Sequence, residues 1–85
     1  SGIEWAELEL LILREQTRIE VEMHLERGRR SLEAHRHAEA EGEFRGAVEK
    51  ARRYPDDVDL QARSEEAEEL ASEACRLREA GNDEK

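Results

Sequence analysis

The chain is 85 residues long, room for one small domain, with 36% apolar residues, 44% charged residues and a formal net charge of −9. Usual domains hold roughly 45–50% apolar and roughly 25% charged residues, so a large core, a membrane span and a collagen or disulfide scaffold are excluded. The acidity is spread over both halves, 10 acids against 6 bases in residues 1–42 and 13 against 8 in 43–85, which argues against direct nucleic-acid binding and against an anionic membrane surface.

Most of the large apolar side chains fall in the first third: Ile3, Trp5, Leu8, Leu10, Leu11, Ile12 and Leu13, then Ile19, Val21, Met23, Leu25 and Leu32. Positions 10, 13, 17, 21, 25, 28 and 32 form one stripe at spacings of 3 or 4, while Trp5, Leu8, Ile12, Ile19 and Met23 widen it toward a second face. The pattern predicts a long helix over about 3–34, which two shorter helices downstream cannot cover along its whole length. Strict alternation over Ile19-Glu20-Val21-Glu22-Met23-His24-Leu25-Glu26 is a strand pattern and leaves a strand as the alternative there. Good helix formers and the lack of a turn dipeptide on either side favour the helix.

After a break in Ala34-His35-Arg36-His37, Ala40, Phe44, Ala47, Val48, Ala51 and Tyr54 make one face of a helix over about 38–54. Its alanines permit close approach of a neighbour, and Gly42 and Gly46 within it mark either close backbone contact or tolerated exposed positions. Pro55 closes this helix, and Asp56-Asp57 offer a cap for the next. Leu60, Arg63, Ala67, Leu70, Ala74 and Leu77 then recur at spacings of 3 and 4, which predicts a helix over about 57–79 that Gly81 stops, with a frayed tail over 80–85.

Little in the chain resembles a chemical site. His24, His35 and His37 lack the spacing of a zinc set, and His35 and His37 are expected to face solvent at a helix boundary. Glu65, Glu66, Glu68 and Glu69 read as a solvated helix face. The lone Cys75 implies no internal disulfide and reads as an inert thiol. No glycine-rich phosphate loop or nucleophile elbow is present, so neither catalysis nor a metal or cofactor is expected. The lack of a secretory leader predicts an intracellular, cytoplasmic setting.

Leu25-Glu26-Arg27-Gly28-Arg29-Arg30-Ser31-Leu32, followed by Ala40, Phe44 and Ala47 at spacings of four and three and by Tyr54-Pro55-Asp56-Asp57, resembles the tetratricopeptide repeat. The usual glycine of the turn is replaced by the histidine-containing segment, and the proline comes about three residues late. The resemblance implies a helical groove that binds proteins or mediates self-association, with Arg29, Arg36 and Arg45 as groove contacts and Leu32, Phe44, Ala47 and Leu70 as core packing.

The whole predicts a single all-α domain over 1–85, a long N-terminal helix followed by a helical hairpin, with three or four antiparallel helices in a repeat-like or bundle-like arrangement. The expected role is protein–protein interaction or self-association, through a surface of Trp5, Leu8, Leu11, Ile12, Ile19 and Met23 and with a protein partner or a second copy as dimer. The competing readings are a designed or excised bundle without activity and the dimerisation domain of a small regulatory protein.

Overall fold

The computed structural model describes residues 2–81. They form three helices, α1 (Gly2–Glu33), α2 (His37–Ala51) and α3 (Val58–Glu79), with no strand among the described residues. Residues 19–26 lie inside α1, where Val21 and Leu25 are fully buried while Ile19 and Met23 are exposed. Their alternation thus comes from a helix with two apolar faces.

The turn between α1 and α2 has a specific geometry despite containing neither glycine nor proline. Arg36 N–H donates to Ser31 O at 2.9 Å and His35 N–H to Leu32 O at 3.1 Å, while His35 takes the left-handed conformation with φ 58°. This is a Schellman termination with histidine at the position where glycine is usual. It reverses the chain tightly, so α2 runs back along the C-terminal half of α1.

Helix α2 stops at Ala51, three residues before the expected end at 54. Pro55 disfavours helical backbone at the residue before it, and the chain instead turns through Arg53 N–H to Lys50 O and Tyr54 N–H to Ala51 O, both at 3.2 Å. Gln61 on α3 reaches back to close this helix end, donating from Nε2 to Ala51 O at 3.1 Å and Tyr54 O at 3.0 Å. Asp57 opens α3 as its N-cap, its Oδ1 accepting from Leu60 N–H at 3.1 Å. Gly81, with φ 77°, comes just after the last turn of α3. Of the frayed tail expected over 80–85, residues 82–85 lie outside the described residues.

Helix α2 packs against both neighbours, whereas α1 and α3 meet only along one edge. The core comprises Val21 and Leu25 of α1, Ala40, Phe44, Ala47, Val48 and Ala51 of α2, and Leu60, Ala67, Ala71 and Ala74 of α3. Of the expected packing residues, Phe44 and Ala47 are fully buried, and Leu32 and Leu70 are half-buried at the core's edge. The alanine-rich faces of α2 and α3 permit close packing, and Phe44 is the largest side chain of the core, which it shares with Val21 and Leu25 of α1.

Helix lengths decide the shape. At 1.5 Å per residue α1 is about 48 Å long and α2 about 22 Å, so α1 outruns its cover by several turns. The molecule measures 57 × 19 × 13 Å with a radius of gyration of 15.4 Å, against about 12 Å for a compact chain of this length.

Candidate association surface

The covered part of α1 ends at a knot of ion pairs. Asp57, whose side chain is 8% exposed, accepts from Arg18 at 3.1 Å through the oxygen that also lies 4.0 Å from Arg14. The Arg14 guanidinium lies 5.1 Å from the centre of the Tyr54 ring, and Arg18 also approaches Asp59 at 3.7 Å. The α2–α3 loop is thereby clamped onto α1 at residues 14–18. Beyond it, every described residue of α1 from Gly2 to Gln16 is exposed.

On this projecting segment apolar side chains point in all directions. Trp5 is 67% exposed, and Leu8, Leu11 and Ile12 are likewise exposed. Ile3, 73% exposed, joins them with Leu10 and Leu13, which continue the buried stripe of Thr17, Val21 and Leu25 past the end of α2. Their spacing is that of the core face, and their exposure follows from the length of α1, whose N-terminal end is expected from the sequence to project past two shorter helices. Glu7, Leu10, Leu11, Arg14 and Tyr54 line a shallow, mostly apolar cleft where the loop meets the projecting helix.

Farther along α1, Ile19 and Met23 extend the exposed surface over the covered half. Their position follows from where the neighbours bind. Helix α2 meets α1 through Lys50 with Glu20 at 2.7 Å, Glu43 with His24 at 3.0 Å and Glu39 with Ser31 at 2.9 Å. Helix α3 meets it through Arg63 with Glu22 at 2.7 Å and Glu66 with Arg29. The stripe of Trp5, Leu8, Ile12, Ile19 and Met23 lies on the remaining side, away from both lines of contact. Val58, at the first position of α3, is a further exposed apolar residue that periodicity does not single out.

The groove expected of Arg29, Arg36 and Arg45 does not form. Arg29 pairs with Glu66 of α3, Arg36 lies 3.9 Å from Glu39, and Arg45 donates to Glu41 at 2.9 Å. The three stand in separate surroundings, each beside a carboxylate of this chain. Arg36 sits with Arg27, Arg30 and Glu39 near the first turn, and Arg45 with Arg52, Glu49 and Glu68 between α2 and α3.

The histidines divide differently from expectation. His35 is exposed, but His37 is 2% exposed, because the first turn of α2 is folded tightly against the end of α1 and carries His37 inward. The rings of His35 and His37 meet edge to face with centroids 5.8 Å apart. His24 is half-buried against Gly46, its Nδ1 3.0 Å from Glu43 and its Nε2 buried without a hydrogen-bond partner. Among the described residues no group of three or more histidine, cysteine or acidic side chains is placed to hold a metal ion.

Cys75 is half-buried on α3 and donates to Glu79 at 3.4 Å. That hydrogen bond, with burial and the charge of Glu41, pushes its thiol above the usual cysteine range, which lowers the thiolate fraction available for nucleophilic attack. Of the glutamates 65, 66, 68 and 69, Glu66 is paired with Arg29 and Arg63 and the others face solvent. No described helix is long and apolar enough to cross a membrane. Compared with known proteins, the chain matches no family model, no curated protein and no solved structure.

Proposed function

We propose that this chain is a non-catalytic protein–protein interaction module of the scaffold or adaptor kind, acting through α1. The observation that carries this reading is the segment from Ile3 to Leu13, where seven large apolar side chains stand exposed on a helix that α2 and α3 are too short to cover. Large apolar side chains on more than one face are the pattern of a helix with more than one neighbour. Fully burying each such side chain is worth roughly 1.5–3 kcal/mol, so a protein surface that closes over this segment gains a large driving force.

The test is affinity capture with the full chain as bait, run beside a Leu11→Glu, Ile12→Glu double variant. Both positions are exposed, so the variant keeps its helical content by circular dichroism. A protein recovered in fixed stoichiometry by the native chain and lost with the variant supports the reading. Equal recovery by both baits, or recovery of nothing by either together with a strictly monomeric native chain, overturns it.

A further inference from the structure

We infer that the outer stripe of α1 is the seat of a second copy of this chain, bound antiparallel so that two α1 helices cross near Gln16. This rests on the reading of α1 as an association surface and names its occupant. The stripe runs through Trp5, Leu8, Ile12, Ile19 and Met23, with Trp5, Ile12 and Ile19 spaced by seven residues, the repeat by which paired helices keep one seam in contact. Its centre is polar, with Glu15 and Gln16, and its apolar residues lie to either side.

Charge chooses the direction. Residues 2–22 of α1 hold Glu4, Glu7, Glu9, Glu15, Glu20 and Glu22 against Arg14 and Arg18, whereas residues 23–33 hold Arg27, Arg29 and Arg30 against Glu26 and Glu33. A parallel pair in register stacks two acidic ends together, with Glu4, Glu7 and Glu9 of each copy beside those of the other. An antiparallel pair centred near Gln16 sets Ile12 against Ile19 and Leu8 against Met23 of the other copy. It also sets Glu4 opposite Arg27 and brings Trp5 within reach of Arg27 and Arg30 of the other copy, whose guanidinium groups lie 3.8 Å from Glu43 and 2.9 Å from Glu26 in their own chain.

The area fits. The chain exposes 5900 Å², about 700 Å² more than a compact protein of its mass, and a standard interface removes about 800 Å² from each partner. Neither α2 nor α3 obstructs the approach, since both contact α1 on its other sides through Glu20, His24, Ser31, Glu22 and Arg29. The inner apolar residues Ile3, Leu10 and Leu13 stay outside this seam and free for a different protein.

Sedimentation equilibrium of the full chain from about 1 μM to about 1 mM gives its mass and the emission of Trp5, the sole tryptophan, reports on the seam. The expected result is a monomer–dimer equilibrium in which the emission shifts to the blue as dimer forms, abolished by Ile12→Glu, Ile19→Glu. Direction is read in a Cys75→Ser background by mild oxidation of single-cysteine variants. Gln16→Cys is expected to link to itself, whereas Leu8→Cys and Met23→Cys link efficiently only when mixed. A native chain that is monomeric throughout overturns the inference and leaves the interaction reading to the capture experiment. Self-linking of Leu8→Cys as efficient as that of Gln16→Cys indicates a parallel pair and overturns it equally.

Discussion

The ring of Phe44 lies directly over Gly28 where α1 and α2 cross, so close that a Cβ added at Gly28 stands 2.7 Å from Phe44 Cδ1. The missing side chain is what lets the two helices approach around the aromatic ring. Gly28→Ala therefore is expected to lower stability by about 1–3 kcal/mol, despite the better helix propensity of alanine. At Gly42 an added methyl meets nothing within 4 Å, so Gly42→Ala is expected to respond with the opposite sign, gaining up to about 1 kcal/mol. Urea unfolding followed by circular dichroism measures both, and the Gly28→Ala loss should shrink in a Phe44→Leu background.

Asp57 joins two helices through one carboxylate: Oδ1 caps α3 at Leu60, and Oδ2 holds Arg18 of α1. Asp57→Asn keeps an acceptor for the cap but loses the ion pair, whereas Asp57→Ala loses both. The alanine variant is expected to lose about 2 kcal/mol, about half of it from the cap. Adding Arg18→Ala to either variant should cost less than it does in the native chain, since only the exposed contacts of Arg18 with Asp59 and Glu15 are left to lose. Denaturant midpoints of the single and double variants provide the check.

His35 sits at φ 58°, in backbone that L residues other than glycine and asparagine seldom adopt. The turn imposes it, because both Schellman hydrogen bonds depend on that left-handed residue. His35→Gly is expected to raise stability by about 0.5–1 kcal/mol, relief of backbone strain outweighing the added freedom of the unfolded chain. Its thermal midpoint should rise while the helical content stays the same.

Two carboxyls make the fold sensitive to acid. A hydrogen bond and the charge of Lys50 hold Glu20 below the usual carboxylate range, and hydrogen bonds from Arg45 and Arg78 do the same for Glu41 against the opposing effect of burial. In the unfolded chain these groups take up protons at higher pH, so unfolding becomes proton-linked in acid. Their contribution is complete above the unfolded carboxylate value of about 4.3 and is lost as pH falls through the lower folded-state values. Glu41→Gln should therefore narrow the loss of stability seen on acidification, read as the difference between its urea midpoint and that of the native chain at neutral and at acid pH.

The three helices are legible in the sequence because their causes are local. Leu60, Ala67, Leu70 and Ala74 recur at helical spacing, Pro55 bars helix at Tyr54, and Asp57 caps the next helix. The two faces of α1 are legible for the same reason: Val21 and Leu25 fall on one stripe, Ile19 and Met23 on the other. Periodicity also accounts for Phe44 and Ala47 lying in the core. It does not tell which of the two apolar stripes is covered, nor at which residue the cover ends.

Those answers belong to the tertiary structure. The tight turn at His35 sets α2 against the C-terminal half of α1, and the shortness of α2 strands Ile3, Leu10 and Leu13 outside the core although their spacing matches that of the buried residues. The same docking buries His37, gives Gly28 and Gly42 opposite meanings, and scatters Arg29, Arg36 and Arg45 onto separate carboxylates. Helix formation is decided within a few residues of chain, so the sequence by itself determined the helices and their apolar faces. Burial depends on the length and placement of a neighbour, so only the packed structure decided which large apolar side chains of α1 are covered by α2 and α3 and which stay exposed.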